Sequence, residues 1–402
     1  MGLAGSAVTA TVPPTVVVGT TAPPPETTTT TTEASPEPES STTTTTAPIH
    51  ITVAAVGDVL PHMPILNSVR DPQTGSYDFG PVFAPIAPYL ARPDYTLVNL
   101  ETRFAGPEPG YSGYPRLNSP AELAYALKGA GVDLLATANN HSLDLGWDGI
   151  TGTLDRLDAA GLAHVGTYRS MEEKRVPFIA DIRGIRVAFL NYTASLNGLI
   201  PPEEHKAYAV NILDADTVAV DAATARLWGA DVVIALLHFG EEYERQPSEE
   251  QLDISQEILS RGVDVIIGSH PHVVEPIAHV VQYASWKVTD KYVAYSLGNF
   301  ISAQRWRYSD SGLVAYVHLE KRGFRTFVTG VSYLPVYVQR AVEEAPVRYR
   351  VLPVLPGVEP QTDVPPTDAE KRRMAEVWEE LRDQLYRPDE NIAPLYPADL
   401  GL

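Results

Sequence analysis

The sequence contains no cysteine among its 402 residues. This absence excludes disulfide bonds and metal sites built from thiolates. Any metal that the protein binds must therefore be held by nitrogen and oxygen ligands. The lack of cysteine does not assign the protein to a cellular compartment.

Basic residues are scarce relative to acidic ones, with 30 Lys and Arg against 50 Asp and Glu and a formal net charge of −20. This balance argues against a nucleic-acid-binding protein, because such proteins need basic side chains to replace the counterions of the phosphates. An anionic substrate would have to be attracted locally, by metal ions or by a few arginines.

The first 49 residues contain little that could be buried. They end in "TTAPPPETTTTTTEASPEPESSTTTTTAP", and this Thr/Pro/Ser-rich composition predicts a disordered linker over residues 1–49. Such linkers resemble stalks that hold a domain off a cell surface, so we expect an extracellular or envelope-attached protein. The alternative is a cytoplasmic protein with a low-complexity tail. Neither a signal peptide nor a bilayer-spanning stretch can be recognised in the sequence.

From residue 50 the chain alternates short apolar runs with segments of helical spacing, which predicts an α/β domain. The apolar runs expected to form buried strands cover residues 50–58, 95–101, 132–141, 185–192, 230–240, 263–272 and 292–300. The segments expected to form helices cover residues 119–131, 146–161, 214–230 and 248–262. Ser119 is expected to cap the first of these helices, and Ser248 with Gln251 is expected to form a capping box on the last.

The pattern changes after residue 310. Successive strand-like runs at 312–321, 324–340 and 346–355 predict antiparallel β-structure, and residues 368–386 predict a polar helix after a Pro-rich connector. We therefore expect one domain over residues 50–356, followed by a connector and helix over residues 357–402.

Polar side chains follow the apolar runs at their C-terminal ends. These residues are Asp58, Asn99, Glu101, Asn139, Asn140, His141, His238, His270, His272 and Asn299. In an open α/β sheet the C-terminal ends of the strands converge on one edge, where ligands bind. Carboxylates, amides and imidazoles are the ligands of hard or borderline divalent metals. The pattern therefore predicts a metal site at this edge.

His270 and His272 flank a single proline in "GSHPHV". The two imidazoles could bind one metal, or one each of two neighbouring metals. TIM-barrel amidohydrolases also use a His-x-His pair, but there it would follow the first strand. In this sequence the pair follows one of the last strands.

Several motifs in a fixed order resemble the CapA family of capsule and poly-γ-glutamate synthesis proteins, within the calcineurin-like metallophosphoesterases. The motifs are "GDV" (57–59), "VNLET" (98–102), "ANNHSLDLG" (138–146), "LHFGEEY" (237–243), "GSHPHV" (268–273) and "YSLGNF" (295–300). The resemblance covers roughly residues 50–305. It implies a four-layer α/β/β/α sandwich of the metallophosphoesterase type, here with additional antiparallel strands and a C-terminal helix.

The resemblance also implies a ligand set for one or two divalent ions (Mn, Zn or Fe). Asp58 and His272 would bind one ion, and Glu101 would bridge to a second. The remaining ligands of the second ion would be Asn140, His238 and His270.

The resemblance implies that His141 would face the substrate, either as general acid or as a phosphate-contacting group. Asp144, three residues later, is expected on the same helical turn and would orient the imidazole of His141. Glu242 and Tyr243 match the family pattern as candidate substrate groups. Arg116 is the cation expected to contact a substrate anion, because a guanidinium binds carboxylate or phosphate through two hydrogen bonds.

One position departs from the phosphoesterase pattern. Leu60 stands where those enzymes usually carry a histidine, and the nearest histidine is His62. Either His62 reaches the metal, or the first site has fewer ligands from the protein. The family's usual bridging aspartate is also replaced by Glu101.

Two functions are compatible with these features. The first is a metal-dependent hydrolase, associated with capsule or poly-γ-glutamate synthesis, that acts on a phosphoester or amide-type bond. The second is a non-catalytic envelope component that binds or helps to export an anionic polymer. The expected partners are an anionic polymer or a phosphoester substrate, together with other membrane proteins of polymer synthesis, and no nucleic acid.

Overall fold

The computed structural model describes residues 47–284, 287–342 and 347–401. The predicted linker over residues 1–49 lies outside the described residues, apart from its last three positions. The domain boundaries at residues 356 and 357 stay predictions.

Two β-sheets form the centre of the fold. The strands are β1 (Ile49–Leu60), β2 (Tyr95–Leu100), β3 (Leu134–Ala136), β4 (Ala163–Val165), β5 (Ile179–Ile182), β6 (Ile185–Thr193), β7 (Val232–His238), β8 (Val265–Ser269), β9 (Ile277–Ala284), β10 (Lys287–Ala294), β11 (Asn299–Ser302), β12 (Ser311–Arg322), β13 (Arg325–Ala341), β14 (Arg348–Pro353) and β15 (Ile392–Pro394). The first sheet has the order β14-β13-β12-β1-β2-β3-β4, with β11 paired to β1 and β15 to β13. The second sheet has the order β5-β6-β7-β8-β10-β9.

Helices lie along the chain between these strands. They are α1 (Met63–Ser68), α2 (Gly80–Phe83), α3 (Ala87–Leu90), α4 (Glu122–Gly129), α5 (Gly146–Ala159), α6 (Met171–Arg175), α7 (Ala215–Leu227), α8 (Glu249–Ser260) and α9 (Asp368–Leu385), with short 3-10 helices at Pro388–Glu390 and Pro397–Leu400. In the described part of the chain, no helix combines the length and the apolar character needed to cross a membrane.

Alternation of side chains along the strands separates three layers of core. In β1, Val53 and Ala55 belong to the core shared by the two sheets, whereas Ala54 and Val56 belong to the core beneath α1 to α4. The second sheet alternates in the same way, and its outer face packs against α7 and α8. Because successive strand residues point to opposite faces, each sheet is buried on both sides. The result is the predicted α/β/β/α sandwich, and the TIM-barrel alternative is wrong.

The C-terminal part of the chain extends this sandwich. Strands β12, β13 and β14 pair antiparallel, as their sequence pattern predicts. Helix α9 carries the predicted polar composition but buries one apolar stripe, which includes Val377, Trp378 and Leu381, in the core between the sheets. Burying side chains of this size stabilises a fold by roughly 1.5–3 kcal/mol each. The helix therefore closes one side of the sandwich.

Two local predictions differ from the structure. Helix α4 begins after Ala121 rather than after Ser119, whose hydroxyl is hydrogen-bonded to that of Thr102 at 2.8 Å and ties the loop to the end of β2. The apolar run at 292–300 forms two strands in different sheets rather than one, because the chain crosses over between Ala294 and Asn299. The capping box of Ser248 and Gln251 on α8 is confirmed.

Candidate metal centre

The C-terminal ends of strands from both sheets meet in one buried cluster of carboxylate, amide and imidazole groups. In the first sheet, Asp58 lies near the end of β1, and β2 and β3 lead into Glu101 and Asn140. Strands β7 and β8 of the second sheet end at His238 and lead into the His-Pro-His loop. Parallel pairing of β1 with β2 and of β7 with β8 aligns these ends. The predicted convergence is therefore formed by two facing sheets rather than by one sheet edge.

Glu101 lies at the middle of the cluster. Its Oε1 atom is 3.7 Å from Nε2 of His238, 3.9 Å from Nε2 of His272 and 4.0 Å from Nε2 of His141. The side chain is fully buried, and within the described residues neither carboxylate oxygen has a hydrogen-bond partner. A buried carboxylate is costly unless it is paired or coordinates a metal. The residues present therefore fit divalent ions bound at this carboxylate.

Two groups of donor atoms around Glu101 are close enough to hold an ion. Their donor atoms lie within 4.8 Å of one another: one group is Asp58, Glu101 and His272, and the other is Glu101, His238 and His270. Glu101 is common to both. The described residues therefore form two adjacent candidate sites that share one carboxylate.

Hydrogen bonds hold the donors of the first group. The Oδ2 atom of Asp58 lies 3.0 Å from Nδ1 of His272, and Oδ1 of Asp58 accepts a hydrogen bond from Asn99 at 2.8 Å. Burial lowers the pKa of His272, but the carboxylates of Glu101 and Asp58 outweigh this effect and raise the pKa to about 9. His272 is thus drawn electrostatically to this pair of carboxylates.

Contacts at hydrogen-bond distance also hold His238, one donor of the second group. Nε2 of His238 lies 3.0 Å from Oδ1 of Asn140, and Nδ1 of His238 lies 3.0 Å from the Ser269 hydroxyl. Burial, together with the neighbouring His270, lowers the pKa of His238 well below its usual value. The imidazole of His238 is therefore neutral, which is the form that binds a metal. Asn140 lies beside this group, as the family resemblance implies.

Burial also acts on the shared carboxylate. Burial and the nearby Asp58 raise the pKa of Glu101 well above its usual value, although His272 opposes them. The structure thus holds an acidic group at a position where its charge lacks solvation. A cation at this position would supply the missing interaction.

Backbone geometry at the site is strained. His270, His272 and Tyr243 have φ angles of 103°, 59° and 68°, a region that non-glycine residues rarely occupy. The Tyr243 N–H donates to the carbonyl of Pro271 at 2.8 Å, so the two strained loops hold each other. Strain of this kind is retained where surrounding structure imposes it, and it is concentrated at functional sites.

Two glycines precede the candidate ligands because the backbone is crowded there. A Cβ atom on Gly57, which precedes Asp58, would lie 1.8 Å from the carbonyl oxygen of Gly298. A Cβ atom on Gly268, two residues before His270, would lie 1.8 Å from the carbonyl oxygen of Tyr295. Both motifs therefore need glycine for the strand ends to approach neighbouring backbone.

His141 and Asp144 form a separate pair at the edge of the cluster. Nδ1 of His141 lies 2.7 Å from Oδ2 of Asp144, and the same oxygen accepts the Leu117 N–H at 2.8 Å. Both side chains are buried. Nε2 of His141 faces Glu101, so this imidazole lies next to both candidate ion sites.

Other predicted site residues lie at the rim or outside it. Tyr243 is 38% exposed, with its ring centroid 6.0 Å from that of His272, and Glu242 is exposed beside it. Arg116 is exposed and, in the described part of the chain, has no carboxylate partner. It adjoins Leu117, whose N–H binds Asp144.

The structure places His62 near the cluster but not in either donor group. His62 precedes α1, and its Nδ1 accepts a long hydrogen bond of 3.4 Å from the Ala303 N–H. Burial and the neighbouring His272 lower the pKa of His62 to about 4. Leu60 is buried and supplies no ligand.

Three residues support the candidate ligands: Asn99, which the sequence placed among the strand-end polar residues without a separate role, and Ser269 and Arg103, which it did not single out. Asn99 donates to Asp58 and lies 3.3 Å from Nδ1 of His238, and Ser269 contacts the same imidazole. Arg103 is fully buried and donates to the carbonyls of Leu100 and Thr137, at the ends of β2 and β3. The polar end of an apolar run was the signal for Asn99, and no comparable pattern singled out Ser269 or Arg103.

Comparison with known proteins gives a consistent set of relatives. Residues 52–304 match the family model described as "Bacterial capsule synthesis protein PGA_cap". The chain is 30% identical over 280 residues to the capsule biosynthesis protein CapA of Bacillus anthracis, covering 68% of this chain and 65% of that protein. It is also 30% identical over 256 residues to the PGA biosynthesis protein CapA of Bacillus subtilis, covering 61% of this chain and 63% of that protein.

Solved structures were compared as well. The calcineurin-like phosphoesterase YfkN from Bacillus subtilis aligns with a TM-score of 0.43 and 16% identity, covering 84% of this chain and 98% of that chain. The sulfate thiohydrolase SoxB from Thermus thermophilus aligns with a TM-score of 0.40 and 15% identity, covering 84% of this chain and 61% of that chain.

Proposed function

Because the chain belongs to the family described as bacterial capsule synthesis protein PGA_cap, we propose that it is a metal-dependent hydrolase that acts in capsule-polymer synthesis at the cell envelope. Its substrate would be a phosphoester or an amide-type bond of an anionic polymer such as poly-γ-glutamate. The curated relatives are named for capsule and PGA biosynthesis, and the chain spans less than two thirds of their length.

One observation carries the hydrolase assignment. Two groups of ligand atoms share the buried carboxylate of Glu101, whose oxygens have no hydrogen-bond partner among the described residues. A protein that only bound a polymer would have no need for a buried charge at this position. We assign Asp58 and His272 to one ion, Asn140, His238 and His270 to a second, and Glu101 to both.

The ions would be Mn, Zn or Fe, since the donors are imidazole nitrogens and carboxylate or amide oxygens. When bound, they would supply Lewis-acid polarisation of a substrate oxygen and activation of water. Among the described residues, the first position has three candidate ligands, Asp58, Glu101 and His272, whereas Asn140 adds a fourth to the second. Occupancy of the first position is therefore expected to be the weaker of the two, and the protein is expected to hold one or two ions.

His141 would transfer a proton to the leaving group. Its Nδ1 is held 2.7 Å from the Asp144 carboxylate, which fixes the ring orientation. The Nε2 atom then presents its proton towards the two candidate ion positions. Asp144 is itself held by the Leu117 N–H, so the pair is positioned before substrate binds.

The test is elemental analysis of the purified full chain, combined with turnover of bis(p-nitrophenyl) phosphate and p-nitrophenyl phosphate. We expect between one and two ions per chain and metal-dependent turnover. A metal-loaded protein that is inert on both esters and on γ-linked glutamate oligomers would contradict the assignment.

A further inference from the structure

A cavity of about 460 Å³ lies beyond the candidate metal centre, between the paired ends of β13 and β14 and the first turn of α9. Three arginines, Arg305, Arg340 and Arg348, line it. The clustering is unusual in a chain with a formal net charge of −20. Every lining residue follows residue 304, where the match to the family model ends.

The two carboxylates among the described lining residues, Asp310 and Glu370, are engaged elsewhere. Asp310 accepts two hydrogen bonds from Arg373, at 2.9 and 3.0 Å. Glu370 accepts the Thr367 N–H at 2.8 Å as part of the capping box of α9. Within the described part of the chain, neither of these carboxylates is therefore ion-paired with Arg305 or Arg340.

Two of the arginines keep donors for a ligand. Arg305 donates to the carbonyl of Val338 at 3.0 Å and lies over the ring of Tyr349, 5.6 Å from its centroid. Arg340 is exposed and, as far as the described residues go, has neither a hydrogen-bond nor an ion-pair partner. Residues 343–346 lie outside the described part of the chain, so the site is defined here by Arg305 and Arg340.

The cavity adjoins the rim of the candidate metal centre through one short segment. Gln304 donates to the hydroxyl of Tyr243 at 3.1 Å, and the Tyr243 ring faces His272. The next residue, Arg305, lines the cavity. A linear ligand held in the cavity could therefore extend across residues 304 and 305 to the candidate metal centre.

We propose that this arginine-lined cavity binds carboxylates of a γ-linked glutamate polymer and holds one segment while a neighbouring segment lies at the metal centre. Guanidinium groups bind carboxylates through paired, charge-assisted hydrogen bonds, which matches the repeated carboxylates of such a polymer. The inference rests on the proposed function for the identity of the polymer. Arg305 and Arg340 place positive charge together at this cavity in a chain that is acidic as a whole.

Calorimetric titration of the full chain with a synthetic γ-linked glutamate oligomer of about ten residues, long enough to extend past one arginine pair, tests this proposal. Arg340→Gln is expected to weaken binding by about tenfold or more, as expected for loss of a hydrogen bond to a charged group. The affinity of Arg340→Lys for the oligomer should lie between those of the unsubstituted chain and of Arg340→Gln, because lysine keeps the charge but not the paired hydrogen-bond geometry. Arg325→Gln is the matched control, since it removes the same charge from an exposed residue at the opposite end of β13.

The outcomes separate this site from the metal centre. Equal binding by Arg340→Gln and Arg325→Gln would overturn the proposal, as would binding of inorganic phosphate that depends on Arg340 without any binding of the oligomer. In a His272→Ala background, Arg340→Gln should still weaken binding of the oligomer by about tenfold or more, because the arginine site does not depend on this histidine. Binding that depends on Arg340 in a protein that hydrolyses nothing would support the polymer site and reject the proposed hydrolase.

Discussion

The Oδ2 atom of Asp144 lies 2.7 Å from Nδ1 of His141, and both side chains are buried at the edge of the candidate metal centre. The two residues are three positions apart in the sequence, so this contact requires no distant part of the chain. It orients an imidazole towards Glu101, which reaches the same cluster from a different strand. The arrangement leads to a first prediction about turnover.

Asp144→Asn should lower kcat by about tenfold to a hundredfold while metal content is kept, because the amide no longer holds the His141 ring in the same tautomer and orientation. Steady-state kinetics with elemental analysis measures both quantities. Asp148→Asn, at an exposed position in the first turn of α5, is the control and should leave kcat unchanged. Loss of metal from Asp144→Asn would show instead that the carboxylate supports the ligands.

His272→Ala should reduce the metal content by about one ion per chain and abolish turnover. The substitution removes one of the three donors in the candidate site formed by Asp58, Glu101 and His272. Elemental analysis and circular dichroism would follow metal and fold together. His50→Ala, at an exposed position near the start of β1, is the matched control. Unchanged metal content in His272→Ala would remove this histidine from the proposed ligand set.

Glu101→Gln should prevent metal binding yet stabilise the metal-free protein. The substitution removes a fully buried carboxyl group whose ionised form is disfavoured by burial and whose oxygens have no hydrogen-bond partner among the described residues. In excess chelator, we expect the melting temperature to rise by about 2–4 °C, corresponding to roughly 1 kcal/mol. The exposed Glu204→Gln should leave it unchanged. A lower melting temperature would mean that the carboxylate stabilises the fold without metal.

The buried Glu275 should make the free energy of unfolding depend on pH, without any change at the candidate metal ligands. Burial raises the pKa of this carboxyl to about 7, although a hydrogen bond from Gln251 opposes the shift. The folded state therefore binds more protons than the unfolded state between the ordinary carboxyl pKa and about 7. The contribution of Glu275 to stability is present at acidic pH and is lost as the pH rises through this range.

Glu275→Gln should accordingly raise the melting temperature more at about pH 8 than at about pH 5. Differential scanning calorimetry at the two pH values measures the difference. Glu108→Gln, which changes an exposed carboxylate, should show the same effect at both. An equal effect of Glu275→Gln at both pH values would contradict the raised pKa.

Gly57→Ala should destabilise the protein by more than about 3 kcal/mol, because the new methyl group would overlap the carbonyl oxygen of Gly298. Gly129→Ala is the control within α4, where a Cβ meets nothing within 4 Å. That substitution should stabilise the protein by about 0.5–1 kcal/mol through helix propensity. Urea unfolding of the two variants gives both values, and a tolerated Gly57→Ala would show that the strand end can shift.

The sequence by itself determined the alternation of buried strands and amphipathic helices, because burial on one or both faces requires a matching period of apolar residues. It also determined which residue types end the strands, and hence the chemistry available at the candidate centre. The motif order around Asp58, Glu101 and the His-Pro-His loop was sufficient to indicate the family.

Only the tertiary structure decided which of these groups meet. Asp58 and His272 are separated by 214 residues but lie 3.0 Å apart, because strands from two facing sheets end at the same place. The split of residues 292–300 into two sheets and the use of Ser119 as a tie to Thr102 depend on contacts distant in sequence. The arginine cavity joins β13, β14 and α9 in the same way. Local patterns determine faces and ends of elements, whereas packing of the two sheets determines which ends come together.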